Sequence, residues 1–146
     1  MPRICSNVLL ELTQFLATSS CRPYNSDVLV QVSPTQYYFP DITVTCDGTD
    51  LENGRNRAIC HPKLIVEVLS ESTEAVDRGR KFEHYRLIPE LQEYVLVRSD
   101  RQYVETYQRG EGAFWKYCSY QDSETVTFNS VGLSLPVSGL YHRVNF

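Results

Sequence analysis

The chain has 146 residues, near the usual size of one domain and long enough to bury one substantial core. With 42% hydrophobic and 22% charged residues, and Gly and Pro at ordinary levels, its composition is that of a soluble globular protein and excludes a disordered or fibrous one. A formal net charge of -4 and a pI near 5.3 exclude a whole-protein electrostatic grip on nucleic acid, so any such contact must be local.

The N-terminus carries no signal-peptide apolar core, and no apolar run approaches the roughly 20 residues that span a bilayer; this predicts a cytoplasmic protein with no membrane partner. Ile4, Val8, Leu12 and Leu16, widened by Leu9 and Phe15, form the stripe of an amphipathic helix from about Arg3 to Ala17 that lies on a sheet. Asp27 to Ser33 alternates as a strand does. Tyr37 to Cys46 reads as a second strand, joined to it in a hairpin by the turn residues around Pro34. Asp47 to His61 is polar and glycine-containing, a mobile loop.

Lys63 to Ser70, K-L-I-V-E-V-L-S, has the apolar run of a strand covered on both faces, yet it places Glu67 at its centre. The following S-E-S-T-E supplies N-capping residues for a helix that stops at Pro89 and is weakened at Gly79. Glu93 to Ser99, Gln102 to Arg109 and Phe114 to Tyr120 form a meander, followed by a short strand near Thr125 to Phe128 and a helical turn near Gly139 to Val144. This order predicts an α/β (α+β) fold, a central mixed β-sheet flanked by helices. Five cysteines, odd in number and without C-x-x-C spacing, fit reduced cytosolic thiols. Cys60-His61, the one Cys/His neighbour pair, lacks the further soft ligands a zinc site needs.

An ionised carboxylate inside K-L-I-V-E-V-L-S is costly unless a metal, a cation or several donors compensate it. Asp41 follows Pro40 in the preceding strand, and two acids on neighbouring strands can converge on one hard cation. Magnesium takes about six oxygens, typically one or two carboxylates with waters and substrate phosphate. Asp41, Glu67 and the Val68 carbonyl are the expected ligands. Each residue also has a plainer reading. Glu67 would be a buried acid satisfied by backbone or Tyr hydroxyls, Asp41 a turn residue, and Lys81 an exposed i,i+4 ion pair with Asp77, which is read as that partner or as a residue supporting the site behind the ligands. Tyr85 would be a core aromatic, and the basic run of Arg78, Arg80, Lys81, His84 and Arg86 a solvated face. No G-x-x-x-x-G-K-[ST], G-x-S-x-G or H-E-x-x-H pattern occurs, against nucleotide hydrolases, serine hydrolases and zinc proteases.

P-D-I-T-V (Pro40 to Val44), H-P-K-L-I-V-E-V-L-S, S-T-E-A-V-D-R-G-R-K-F-E-H-Y-R and I-P-E-L-Q-E-Y-V-L-V, with the ending V-G-L-S-L-P-V-S-G-L-Y, resemble the Uma2 family (DUF820) of restriction-endonuclease-like proteins over nearly the whole chain. The resemblance implies a single PD-(D/E)XK nuclease domain over residues 1–146 and magnesium-dependent (Mg2+, with Mn2+ possible) hydrolysis of DNA. Asp41 matches the acid of the family's P-D motif and Glu67 that of its second strand motif. The lysine of an E-x-K pattern is replaced by Leu69, and Lys81 on the following helix matches the family's displaced lysine. The implied catalytic residues are Asp41, Glu67 and Lys81. Relatives usually begin with a further segment containing a G-E pair, and this chain starts after it. Two functions therefore stand side by side: a metal-dependent endonuclease, and a catalytically degenerate module that binds nucleic acid or a protein partner. The apolar meander, rich in Val, Tyr and Phe with Trp115, predicts a homodimer.

Overall fold

The structure is a computed structural model and describes residues 2–53 and 58–146; residues 54–57 of the expected loop lie outside the described residues. The first half contains α1 (Pro2–Phe15), β1 (Arg22–Tyr24), β2 (Val30–Ser33), β3 (Gln36–Tyr38), β4 (Ile42–Thr45), α2 (Gly48–Asn53) and β5 (Pro62–Leu69). A broken helix follows: α3 (Glu74–Val76), a π-helical turn (Asp77–Lys81) and α4 (Phe82–Tyr85). Then come β6 (Glu93–Arg98), β7 (Tyr103–Arg109), β8 (Trp115–Gln121), β9 (Thr125–Phe128), β10 (Leu133–Pro136) and α5 (Val137–Leu140).

Six strands form the central sheet in the order β1-β4-β5-β6-β7-β8. β5 and β6 are parallel, from Leu64 opposite Glu93 to Leu69 opposite Arg98, and the other neighbours are antiparallel. A parallel pair needs a crossover, and the broken helix supplies it. Because side chains alternate along β5, its even positions Leu64, Val66 and Val68 pack with Ile4, Val8 and Leu12 of α1 and with Phe128. Its odd positions Ile65 and Leu69 pack with Tyr85, Tyr94 and Leu96 on the opposite face. Glu67 is an odd position, so its carboxylate points under the crossover helix.

Two expectations are corrected. The strand read over Tyr37 to Cys46 is two strands: β3 pairs only with β2, and β4 belongs to the central sheet. Pro40, which has no N–H for a ladder, stands at the break, and Asp41 sits at the entrance to β4. The cysteines are not all free thiols, since Cys21 and Cys46 form a disulfide. Arg22 lies opposite Thr45, so one step outward the antiparallel register brings these two cysteines face to face. The short strand β1, which has no clear alternation, hid that pairing from sequence.

The crossover helix is fastened to the sheet by Arg78, whose guanidinium meets Glu105 of β7 through Nη1 at 2.9 Å and Nη2 at 2.5 Å. Tyr117 adds a hydroxyl to Glu105 at 2.6 Å. Inside the π-helical turn the Asp77 carbonyl accepts the Tyr94 hydroxyl at 2.8 Å, so a carbonyl of the irregular turn is satisfied from the sheet. Arg78→Met would leave the buried Glu105 with Tyr117 alone. With Arg78 itself partly solvated, the expected loss is about 2 kcal/mol in chemical denaturation, more than for Leu87→Ala at an exposed position, which should stay within about 0.5 kcal/mol.

Candidate metal centre

β4 and β5 bring Asp41 beside Glu67. The Asp41 backbone N–H donates to Glu67 Oε1 at 3.0 Å, and the Val68 N–H donates to Asp41 Oδ2 at 2.7 Å. In a strand the N–H and C=O of one residue point to the same side, so the Val68 carbonyl faces the edge where Asp41 lies. From above, the π-helical turn and α4 deliver two donors to the other Glu67 oxygen: Lys81 Nζ at 3.0 Å and the Tyr85 hydroxyl at 3.3 Å from Oε2. Asp77, at the start of the turn, places Oδ1 3.0 Å from Lys81 Nζ, close enough to pair but off the hydrogen-bond direction. The sequence-predicted Asp41, Glu67, Lys81 and Val68 thus meet at one end of β5.

The side chains of Glu67 and Asp77 are 2% and 3% exposed, while Lys81 retains 20% and Asp41 is half-buried, so water reaches the cluster past the lysine and Asp41. Burial pushes the Glu67 carboxyl up to about 7, with Asp77 and Asp41 adding to the rise and Lys81 opposing it. Burial likewise raises Asp41, against the Val68 N–H and Lys81. For Lys81 burial acts downward, but Glu67 and Asp77 outweigh it and the ammonium is held above its usual range. Cys5 of α1 feels the same field: burial and then Asp41 lift its thiol to about 11, so it stays protonated.

Sequence reasoning left one member open and missed another. Asp77 read either as the exposed i,i+4 partner of Lys81 or as a residue supporting the site, and the structure buries it beside Lys81. Tyr85 read as a core aromatic, and it is one, but its hydroxyl also serves Glu67. An acid followed by Arg78 and Arg80 gave no sign of burial, although the resemblance had already brought Lys81 of that helix to the site.

A cleft of about 630 Å3 lies elsewhere, at the opposite end of β5, with His61, Lys63 and Arg109 in its wall. One group of three ligand-type side chains, Asp47, Asp50 and His61, has ligand atoms within 4.8 Å of one another there. Its acids are already engaged. Asp50 accepts the Cys60 and His61 N–H groups and the Thr45 hydroxyl, and Asp47 Oδ1 accepts two N–H groups of α2. That cluster clamps the ends of the loop. Asp41, Glu67 and Asp77 are not gathered so closely, because Lys81 stands between two of them.

Comparison with known proteins gives the family and the fold. The model of the family Uma2, described as "Putative restriction endonuclease", matches residues 2–138. The uncharacterized protein slr1290 of Synechocystis sp. (strain ATCC 27184 / PCC 6803 / Kazusa) is 41% identical over 127 residues, 86% of this chain and 66% of the relative. The uncharacterized protein sll1609 of the same organism is 35% identical over 91 residues, 62% of this chain and 51% of the relative. The chain therefore spans about two thirds of one curated relative and half of the other. A crystal structure titled as a putative nuclease belonging to DUF820 from Anabaena variabilis ATCC 29413 superposes with a TM-score of 0.79 at 18% identity, covering 99% of this chain and 81% of that one. The mixed α+β fold is that of this nuclease-fold neighbour.

The raised Glu67 has a measurable consequence. A group whose folded pKa lies above its unfolded value of 4.5 stabilises the fold fully below pH 4.5, and that contribution is lost as pH rises through about 7. Metal-free protein should therefore lose on the order of 3 kcal/mol across this window in pH-resolved thermal unfolding. In Glu67→Gln that loss should be absent.

Proposed function

The chain belongs to the Uma2 family, and on that premise we propose that it is a metal-dependent endonuclease that hydrolyses DNA phosphodiester bonds with Mg2+ or Mn2+. The observation that carries this reading is a charge imbalance: Asp41, Glu67 and Asp77 face one ammonium, Lys81, in a cluster only partly open to water. Two of these acids are nearly fully buried, and Asp77 Oδ1 accepts no well-directed hydrogen bond. Buried carboxylates in excess of their counter-charges are costly, and a divalent cation relieves that cost.

The donor set fits such an ion. Carboxylate and carbonyl oxygens suit magnesium or manganese better than zinc, and the neighbouring Cys5 thiol is protonated. Asp41, Glu67 and the Val68 carbonyl would hold the metal, which when bound polarises a phosphate and lowers the pKa of a coordinated water. Tyr85 and the Asp41 N–H fix the Glu67 carboxylate. Lys81, kept charged by Glu67 and Asp77, supplies a cation for the charge that develops on a scissile phosphate.

The second reading, a nuclease-fold module that binds without cutting, draws on the same contacts: both Glu67 oxygens already have donors. Incubation with supercoiled, linear and single-stranded DNA separates the two. The enzyme reading expects cleavage with Mg2+ or Mn2+, its loss in Asp41→Asn and Glu67→Gln, and a fall of about 10²-fold or more in Lys81→Met. Absence of cleavage of every DNA form with either ion would favour the binding module. A second copy of this chain has a natural surface in the edge strand β8, where Tyr117 and, just before the strand, Phe114 are exposed. Sedimentation velocity at micromolar concentration should show a dimer.

A further inference from the structure

The buried acids of the described residues are served very differently. Glu67 has three donors, Asp50 has three, and Glu93 takes the N–H groups of Asn129 and Ser130 with the Ser130 hydroxyl. Glu105 has Arg78 and Tyr117. Asp77 Oδ1 leans on Lys81 alone, 3.0 Å away and off the hydrogen-bond direction. As a packing element such an acid is poor, since a buried carboxylate with one imperfect partner costs the fold stability.

Its position suggests what it is for. Lys81 Nζ is 3.0 Å from Glu67 Oε2 and 3.0 Å from Asp77 Oδ1, midway between an acid assigned above to the metal and one that is not. An ammonium and a divalent cation at about 2.1 Å from the same carboxylate repel one another, so they compete for Glu67. The lysine stem is flexible and part-exposed, whereas Asp77 is buried and its main chain is held by Tyr94.

We propose that Asp77 is a positioning residue that receives the Lys81 ammonium from Glu67 when a divalent cation binds, keeping the lysine in the site instead of releasing it to solvent. The inference rests on the reading of Asp41 and Glu67 as metal ligands. Before the cation arrives, Lys81 is the resident counter-ion of Glu67. Afterwards the same charge stands on the Asp77 side, still within reach of a phosphate. The fixed acid and the movable cation make the exchange local, with no change of backbone.

The test is the affinity of the whole chain for Mn2+ at pH 8, by calorimetry, with no DNA present. Lys81→Met removes the competitor and should bind at least about tenfold more tightly than wild type. Asp77→Asn strands Lys81 on Glu67 and should bind about tenfold more weakly. In Lys81→Met/Asp77→Asn the Asp77 effect should shrink below about twofold, because there is no ammonium left to receive. If Asp77→Asn weakens binding equally with and without Lys81, Asp77 is itself a ligand or only a distant charge, and the proposal fails. If Lys81→Met binds no more tightly while Glu67→Gln still abolishes binding, the metal site stands and the lysine exchange is wrong. No binding by any variant would remove both. Should Lys81→Met fold poorly by circular dichroism, Lys81→Gln and the Asp77→Asn shift against wild type decide the matter with the same signs.

Discussion

The carboxylate of Glu67, placed under the crossover helix near the C-terminal end of β5, ties three elements of the structure to one point. Its oxygens are met by the main chain at the mouth of β4, by Lys81 from the π-helical turn and by Tyr85 from α4. Three separate elements must therefore arrive together. Hydrogen bonds to a charged group contribute about 1.5–3 kcal/mol each, yet the carboxyl still titrates near 7. Burial outweighs the partners, and the fold carries an acid it would be more stable without. Such a local conflict between stability and side-chain choice is expected where a site is held for chemistry.

The same strand shows what a purely structural polar cluster looks like. At the far end of β5, Asp50 is just as buried as Glu67, but each of its oxygens is used to tie Thr45, Cys60 and His61 into one loop junction. That cluster lies beside a cleft of about 630 Å3 and has the tighter ligand geometry, so shape alone would select it. Counting donors to the buried acids selects the other end: both Asp50 oxygens accept well-directed hydrogen bonds, whereas Asp77 Oδ1 accepts none.

Much of this was legible in sequence because the strongest signals are periodic. The α1 stripe, the apolar run of β5 and the alternating meander fixed three elements, and an acid interrupting an apolar run announced the site. What failed did so for local reasons. Pro40 splits a stretch that otherwise reads as one strand, and the split is what frees Asp41 from the ladder. β1 is three residues long and carries no pattern, so the Cys21–Cys46 pairing was invisible. Asp77, Lys81 and Tyr85 share one face at i, i+4 and i+8, but spacing alone did not say whether that face met solvent or Glu67.

The charge distribution bears on how an acidic chain would approach a polyanion. With a net charge of -4, this chain has no long-range attraction for DNA, and several of its arginines are already engaged. Arg78 is taken by Glu105 and Glu74, Arg98 by Asp100 and Glu74, and Arg109 by three backbone carbonyls and the face of Trp115. Among the described residues Arg80 and Arg86 have no such partner and are exposed on the same helix as Lys81. Two free arginines and one shared ammonium neutralise few phosphates, so the salt dependence of binding should be shallow. On the proposed function, most of the favourable charge facing a scissile phosphate would have to come from the divalent cation. Substrate binding and metal binding would then be strongly coupled, each weak without the other, which is how an acidic protein can hold DNA at one point without gripping it elsewhere.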